Sequence, residues 1–111
     1  MNIWTEDYDN TAAFLALKAA LGPLGFFDTT WRNDACPSLS WSPDGESCDD
    51  LDSGIRVWID YYNPELREVC ADITDDIWID FGGFGTPFKS WSDLRDIVAH
   101  CKQAIATAQM D

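Results

Sequence analysis

The densest group of side chains that could do chemistry is a run of five carboxylates with no basic residue among them. The run consists of Asp44, Glu46, Asp49, Asp50 and Asp52. Hard cations such as Ca²⁺ bind several oxygen ligands, which makes calcium binding one interpretation of the run. The order of these residues lacks the alternating ligands, central glycine and terminal glutamate of an EF-hand. We therefore expect no calcium site but an exposed acidic loop that contacts a partner.

Tryptophan and aspartate recur together in two pentapeptides that lie twenty residues apart. Residues 57–61 read Val-Trp-Ile-Asp-Tyr, and residues 77–81 read Ile-Trp-Ile-Asp-Phe. Because side chains alternate between the two faces of a strand, each pentapeptide directs its Trp and Asp away from the aliphatic side. With two acidic residues of the intervening segment, the predicted face comprises Trp58, Asp60, Glu68, Asp72, Trp78 and Asp80.

This aromatic and anionic face would suit a basic protein as partner. Aromatic side chains that become buried commonly anchor protein interfaces, and cations are attracted to the face of an indole ring. We expect the face to be exposed and to bind the partner. The alternative is structural, with the loop at residues 26–31 covering the two Trp side chains and leaving no open surface.

Catalysis has weaker support in the sequence. Paired carboxylates such as Asp60 and Asp80 can act as acid and base in glycoside hydrolysis. On a shallow sheet face they would be solvated and would keep ordinary pKa values, which does not suit catalysis. His100, the single histidine, would need a cysteine from another element close by to form a nucleophilic pair. The glycine-rich stretch at 82–85 has neither the lysine of a phosphate loop nor the spacing of a dinucleotide fingerprint. We expect neither an enzyme nor a cofactor.

The four cysteines could in principle bind zinc together with His100. Their spacing contains no C-x-x-C pair, and His100 and Cys101 would diverge by about 100° as neighbours on one helix. The first seven residues lack the basic and apolar stretches of a secretory signal, and no apolar run reaches the roughly 18 residues of a membrane span. We therefore expect a cytoplasmic protein with reduced thiols and no bound metal.

Charge sets the strongest limit on the partner. Twenty Asp and Glu residues against seven Lys and Arg residues give a formal net charge of −13. Nucleic-acid backbones and anionic membranes are bound through cationic side chains, which are scarce here, so neither is expected as a direct ligand. A basic protein surface is the natural complement, although the same acidity also serves solubility.

Two helices are predicted near the ends of a single domain of 111 residues. The first begins with Asp9 or Asn10 as its N-cap and ends at Leu21, where Gly-Pro follows. The second runs from about Trp91 to about Gln109 and begins with a capping-box motif at residues 90–93. Its apolar stripe comprises Leu94, Val98, Cys101, Ile105 and Ala108.

Short alternating runs between these helices predict a three- to four-stranded antiparallel β-meander, and hence an α+β fold with the C-terminal helix on one sheet face. Residues 24–37 show no clear period, and residues 82–87 break the strand pattern. The predicted strands lie at residues 38–42, 54–62, 66–73 and 77–81.

In its size, its acidity and its lack of a catalytic constellation, the chain resembles two groups of small bacterial or phage inhibitors. One group comprises anti-restriction and anti-CRISPR proteins that mimic nucleic acid, and the other comprises immunity proteins that neutralise nuclease toxins. The resemblance implies an inhibitor that binds a basic nuclease or nucleic-acid-binding complex. Carboxylates that would imitate phosphates are those of residues 44–52 and of Asp72, Asp75, Asp76 and Asp80.

A carbohydrate- or small-molecule-binding module is the alternative from a different class. Such a module would stack its ligand on Trp58, Trp78 or Trp41. Quenching of Trp fluorescence by a sugar or nucleotide would distinguish it from an inhibitor.

Overall fold

The computed structural model describes residues 9–29, 37–42, 54–63, 65, 67, 70, 74–81, 84–89 and 92–108. These residues form an α+β fold in which one five-stranded antiparallel sheet carries two helices. The α+β class and the two helices are confirmed, whereas the sheet has more strands than the three or four predicted. The elements are α1 (Thr11–Leu21), β1 (Phe27–Asp28), β2 (Ser38–Trp41), β3 (Ile55–Ile59), β4 (Ile77–Phe81), β5 (Phe84–Phe88) and α2 (Leu94–Ala108).

The strands pair in the order of the chain, so the sheet is a meander. β3 pairs directly with β4, which places Trp58 opposite Trp78. The strand predicted at residues 66–73 therefore does not lie between them, and this part of the prediction is wrong. Of that segment the structure describes Arg67 and Cys70, and Cys70 lies in a turn. The other residues of the predicted strand lie outside the described part of the chain.

The strands missed by the sequence patterns form the two edges of the sheet. β1 pairs with β2, and β5 pairs with β4 within the stretch predicted to break the pattern. Gly85 and Pro87 are tolerated in β5 because only one side of an edge strand needs ladder hydrogen bonds. Proline has no N–H, so Pro87 also removes a donor from the free edge, which discourages pairing with another chain.

One face of the sheet packs against both helices and forms the core. Alternation along the two central strands buries their aliphatic side chains there, as predicted: Ile55, Val57, Ile59, Ile77 and Ile79. The helices face them with small and aliphatic side chains, namely Ala13, Leu17, Leu21, Ile97, Cys101 and Ala104. The buried side of α2 therefore differs from the predicted apolar stripe. Ile97, which is not in the predicted stripe, is fully buried, whereas Leu94 and Val98 are only partly buried beside it.

The helix ends combine predicted and unpredicted contacts. α1 ends at Leu21 as predicted, and a 3₁₀ turn at Gly22–Leu24 leads to Gly25, whose φ of 102° favours glycine. Before α2, the Asp93 carboxylate accepts a hydrogen bond from the N–H of Lys89 at 2.7 Å. This contact resembles the reciprocal bond of a capping box, although Ser90 and Trp91 lie outside the described residues.

Within the described part of the chain, neither helix combines the length and the apolar character that crossing a membrane requires.

Candidate functional site

The sheet face that points away from the helices carries a mixed aromatic and polar surface, here called the outward face. Its side chains lie in two rows across the strands, fixed by the register. One row contains Ser38, Trp58, Trp78 and Pro87, and the other contains Ser40, Arg56, Asp80 and Gly85. Trp58, Trp78 and Asp80 are all partly exposed. The predicted grouping of the two Trp residues with Asp80 on one face is therefore observed.

Trp78 has a defined orientation on this face. A Cβ atom added at Gly85 would overlap the indole of Trp78, so the six-membered part of that ring lies directly over the glycine. The indole Nε1–H donates a hydrogen bond to Oδ1 of Asp80 at 3.2 Å. The indole is thus held across β5 in two ways. Glycine at position 85 leaves space for the ring, and Asp80 accepts the hydrogen bond of its N–H.

Trp58 already holds a cation from its own strand. The guanidinium carbon of Arg56 lies 5.3 Å from the centre of the Trp58 ring, within the range of a cation–π interaction. At the same time Arg56 Nε–H donates to the hydroxyl of Ser40 at 3.2 Å. Alternation in β3 places Arg56 and Trp58 on one side, which the sequence shows, but their cation–π contact is visible only in the structure.

On the β1–β2 side of the outward face, hydroxyl groups form hydrogen bonds with one another. The hydroxyl of Thr29 shares hydrogen bonds with those of Ser38 at 2.9 Å and Ser40 at 2.8 Å. Both serines are completely buried. Binding capacity on this face is therefore concentrated at β3 to β5, around the two Trp residues.

Asp60 does not belong to the outward face, and its predicted exposure is wrong. β3 ends at Ile59, and the chain then turns, so that the Asp60 side chain is completely buried. Its carboxylate accepts hydrogen bonds from the N–H groups of Tyr61 at 2.8 Å and Cys70 at 2.7 Å. Alternation fails here because it applies only while the backbone remains extended.

Asp76 is also buried, with 3% of its surface exposed, and cannot present its carboxylate to a partner in this fold. Asn10 Nδ2 donates to Asp76 Oδ2 at 2.6 Å and to the carbonyl of Asp60 at 3.0 Å. The N–H of Asp60 donates to the carbonyl of Asp76 at 2.8 Å. These residues join the start of α1 to both ends of the β3–β4 connection, so their role is structural.

Arg67 links the two ends of the same connection. Its guanidinium donates hydrogen bonds to the carbonyls of Tyr61 and Tyr62 on one side and of Thr74 and Asp75 on the other, at 2.7 to 3.2 Å. Such fixed, planar donors suit several carbonyls at once. Asp75, a predicted partner-binding residue, therefore lies beside this link and is partly buried.

The remaining predicted contact residues lie outside the described part of the chain. They are Asp44, Glu46, Asp49, Asp50, Asp52, Glu68 and Asp72. Trp41, the third Trp proposed for ligand stacking, is buried in the core at 6% exposure, so stacking on it is wrong. Its indole edge lies close to the position of a Cβ at Gly25, which places it under the turn after α1.

The cysteines that the structure describes are poor nucleophiles. Burial raises the pKa of Cys101 to about 12. The pKa of Cys70 is likewise about 12, chiefly through burial and then through the negative charge of Asp60. His100 packs its ring against Phe88, with centroids 5.6 Å apart. No group of three His, Cys, Asp or Glu side chains suited to a metal ion occurs among the described residues.

Comparison of the chain with protein-family models, with curated proteins and with solved structures gives no match. The outward face therefore has to be interpreted from its own geometry and charge.

Proposed function

We propose that the protein is a small acidic inhibitor that binds and blocks a basic nucleic-acid-handling protein or complex through its outward face. The observation that carries the proposal is the pairing of Trp58 and Trp78 across β3 and β4, next to the Asp80 carboxylate, with all three side chains partly exposed. An aromatic pair with an adjoining carboxylate is complementary to a surface rich in Arg and Lys.

Aromatic side chains supply most of the binding energy in this interpretation. Tryptophan is enriched among the residues that dominate interfaces, because it buries a large area with little loss of side-chain freedom. A carboxylate beside it adds charge complementarity, which selects basic partners and rejects acidic ones. The intramolecular contact of Arg56 with Trp58 supports this view, since it is the same kind of contact between a cation and an indole.

The net charge of −13 adds attraction at longer range. A charge surplus of this kind accelerates association with a basic protein, and salt screens the attraction. In the proposal, the acidic residues 44–52 add negative charge and compete with phosphates for the cationic side chains of the partner.

The experiment is affinity capture from lysate of the native host, followed by an activity assay. Tagged wild-type protein is compared with a Trp58→Ala/Asp80→Asn variant, and with Asp96→Asn as a control of matched charge on the exposed side of α2. We expect the wild type and the control to capture a basic nuclease or nucleic-acid-binding complex, and the double variant to lose it. The purified target should then lose activity when the wild-type protein is added.

Two results would contradict the proposal. One is equal capture by the double variant, which would show that the outward face does not bind the partner. The other is an affinity for the purified target that does not change between about 50 and 200 mM salt, since exposed charge pairs are screened over this range. Capture of a single nuclease toxin would identify an immunity protein, whereas capture of a multi-subunit defence complex would identify an anti-defence protein.

A carbohydrate-binding module is a second candidate, favoured by the position of Trp78 over Gly85. An indole held across a strand offers a broad apolar surface for a ligand, and Asp80 beside it could accept a hydrogen bond from a hydroxyl. Titration with a panel of sugars and nucleotides, followed by Trp fluorescence, tests this candidate. Quenching by one sugar, lost in Trp78→Phe, would favour it over the inhibitor.

A further inference from the structure

We infer that Trp78 and Asp80 together form a receptor for an arginine side chain of the basic partner, and that lysine is a poor substitute. The inference rests on the proposed function and specifies the chemical group that the outward face recognises. Its basis is the arrangement of one indole, one carboxylate and one glycine on neighbouring positions of β4 and β5.

The indole of Trp78 is positioned before any partner binds. Gly85 leaves room for the ring above β5, and the bond from Nε1–H to Asp80 Oδ1 fixes its rotation. Trp58 and Pro87 flank it on the two neighbouring strands. A ring held in this way loses little freedom when a planar group stacks on it, which favours affinity.

Asp80 keeps acceptor capacity after it binds the indole. Oδ1 receives the hydrogen bond from Trp78, whereas Oδ2 receives none from the described residues. An ionised carboxylate has about four lone-pair positions, so it can accept from a guanidinium without releasing the indole. A cation stacked on Trp78 would therefore find a carboxylate oxygen at the edge of the ring.

The neighbouring strand shows the same type of contact with a guanidinium from this chain. The guanidinium carbon of Arg56 lies over the Trp58 ring, 5.3 Å from its centre, while Nε–H donates to the side-chain oxygen of Ser40 at the next position of the row. Asp80 stands in that row directly opposite Arg56. A planar guanidinium can stack and donate in its own plane at once, whereas the ammonium of lysine is a hydrated point charge without a flat face.

The test uses two fluorescent peptides of equal length and charge, one alternating Arg with Ser and the other alternating Lys with Ser. Fluorescence anisotropy measures their affinity for the full chain at low salt. We expect the Arg peptide to bind about 5-fold more tightly, a ratio consistent with one stacked and hydrogen-bonded guanidinium. In Asp80→Asn, and separately in Trp78→Phe, the ratio should fall to about 1. Asp96→Asn, with the same loss of charge on α2, should retain it.

The outcomes separate this inference from the function on which it rests. Equal binding of both peptides to the wild type, together with weaker binding of both to Trp58→Ala/Asp80→Asn, would overturn arginine selectivity and leave the basic-partner proposal standing. A preference for Arg that persists in Asp80→Asn would also overturn the inference that Asp80 takes part in binding the arginine. If neither peptide binds the wild type, both proposals fail for this face. Urea unfolding of each variant shows that the substituted proteins are folded under the binding conditions.

Discussion

Asn10 and Asp76 are 66 residues apart in the chain, yet Nδ2 of Asn10 donates a hydrogen bond to Oδ2 of Asp76 at 2.6 Å. The same amide group also donates to the carbonyl of Asp60. A residue expected only to cap α1 therefore connects the helix to the start of β4 and the end of β3. Its backbone carbonyl accepts the first hydrogen bond of α1, from Phe14 N–H, but its side chain makes no capping hydrogen bond, so the expected capping role of the side chain is replaced by bridging.

Replacing Asn10 with Ala should lower the free energy of unfolding by about 2 kcal/mol, because two buried acceptors each lose a hydrogen bond. Urea denaturation followed by Trp fluorescence measures the change. Gln103→Ala, at an exposed position of α2, is the control and should change stability by less than about 0.5 kcal/mol. Equal midpoints for wild type and Asn10→Ala would show that the bridge contributes nothing to stability.

Arg67→Lys should destabilise the protein by about 1–2 kcal/mol, although the charge is preserved. Lysine cannot reproduce the planar donors that contact carbonyls on both sides of the β3–β4 connection. Hydrogen exchange at residues 61, 62, 74 and 75 should accelerate in the variant. Arg95→Lys is the matched control, since Arg95 is exposed and makes no hydrogen bond with the described residues. A similar stability for both variants would argue against the guanidinium as a link.

Local patterns predict the parts of this fold that have a regular backbone. Alternating β-branched residues indicate β3 and β4 and their buried faces, and the same alternation correctly groups Trp58, Trp78 and Asp80. Prediction fails where the backbone turns. Asp60 continues the alternation in the sequence, but its carboxylate turns inward because N–H groups of the connection need acceptors.

Contacts between distant residues were also beyond prediction from the sequence. Nothing near Asn10 indicates that its amide reaches Asp76, and nothing near Gly85 indicates that an indole lies over it. The glycine in β5 looks like an interruption in the sequence, yet in the sheet it creates the space for Trp78. A glycine in an otherwise strand-like stretch can signal close approach of a neighbouring group as well as a turn.

Stability should fall as pH rises above about 9, because of the two buried thiols. Cys70 and Cys101 have folded-state pKa values of about 12 against 9.0 as the reference value, so the unfolded chain releases these protons first. The stabilisation is complete below pH 9 and is lost between pH 9 and 12, at up to about 1.4 kcal/mol per pH unit for each thiol. Urea unfolding of wild type and Cys101→Ala at pH 8 to 10 measures the difference, and the variant should show the shallower decline. Parallel curves would contradict the assignment.

Gly85→Ala should disturb the outward face while leaving the core intact. The added methyl overlaps the Trp78 indole, so the ring must move and its hydrogen bond to Asp80 is broken. We expect a loss of about 1–2 kcal/mol in unfolding free energy, typical of overpacking, and a shift of the Trp78 indole N–H resonance in a ¹H–¹⁵N spectrum.

Gly22→Ala is the matched control for this change. Gly22 has helical backbone angles, with φ of −51°, and apart from its own local backbone no atom of the described residues lies within 4 Å of the position of an added Cβ. Alanine there should leave stability unchanged or raise it by up to about 1 kcal/mol, since it reduces the freedom of the unfolded chain. If Gly85→Ala also leaves both the stability and the Trp78 resonance unchanged, the ring does not rest on β5. The receptor for arginine would then lack its fixed indole.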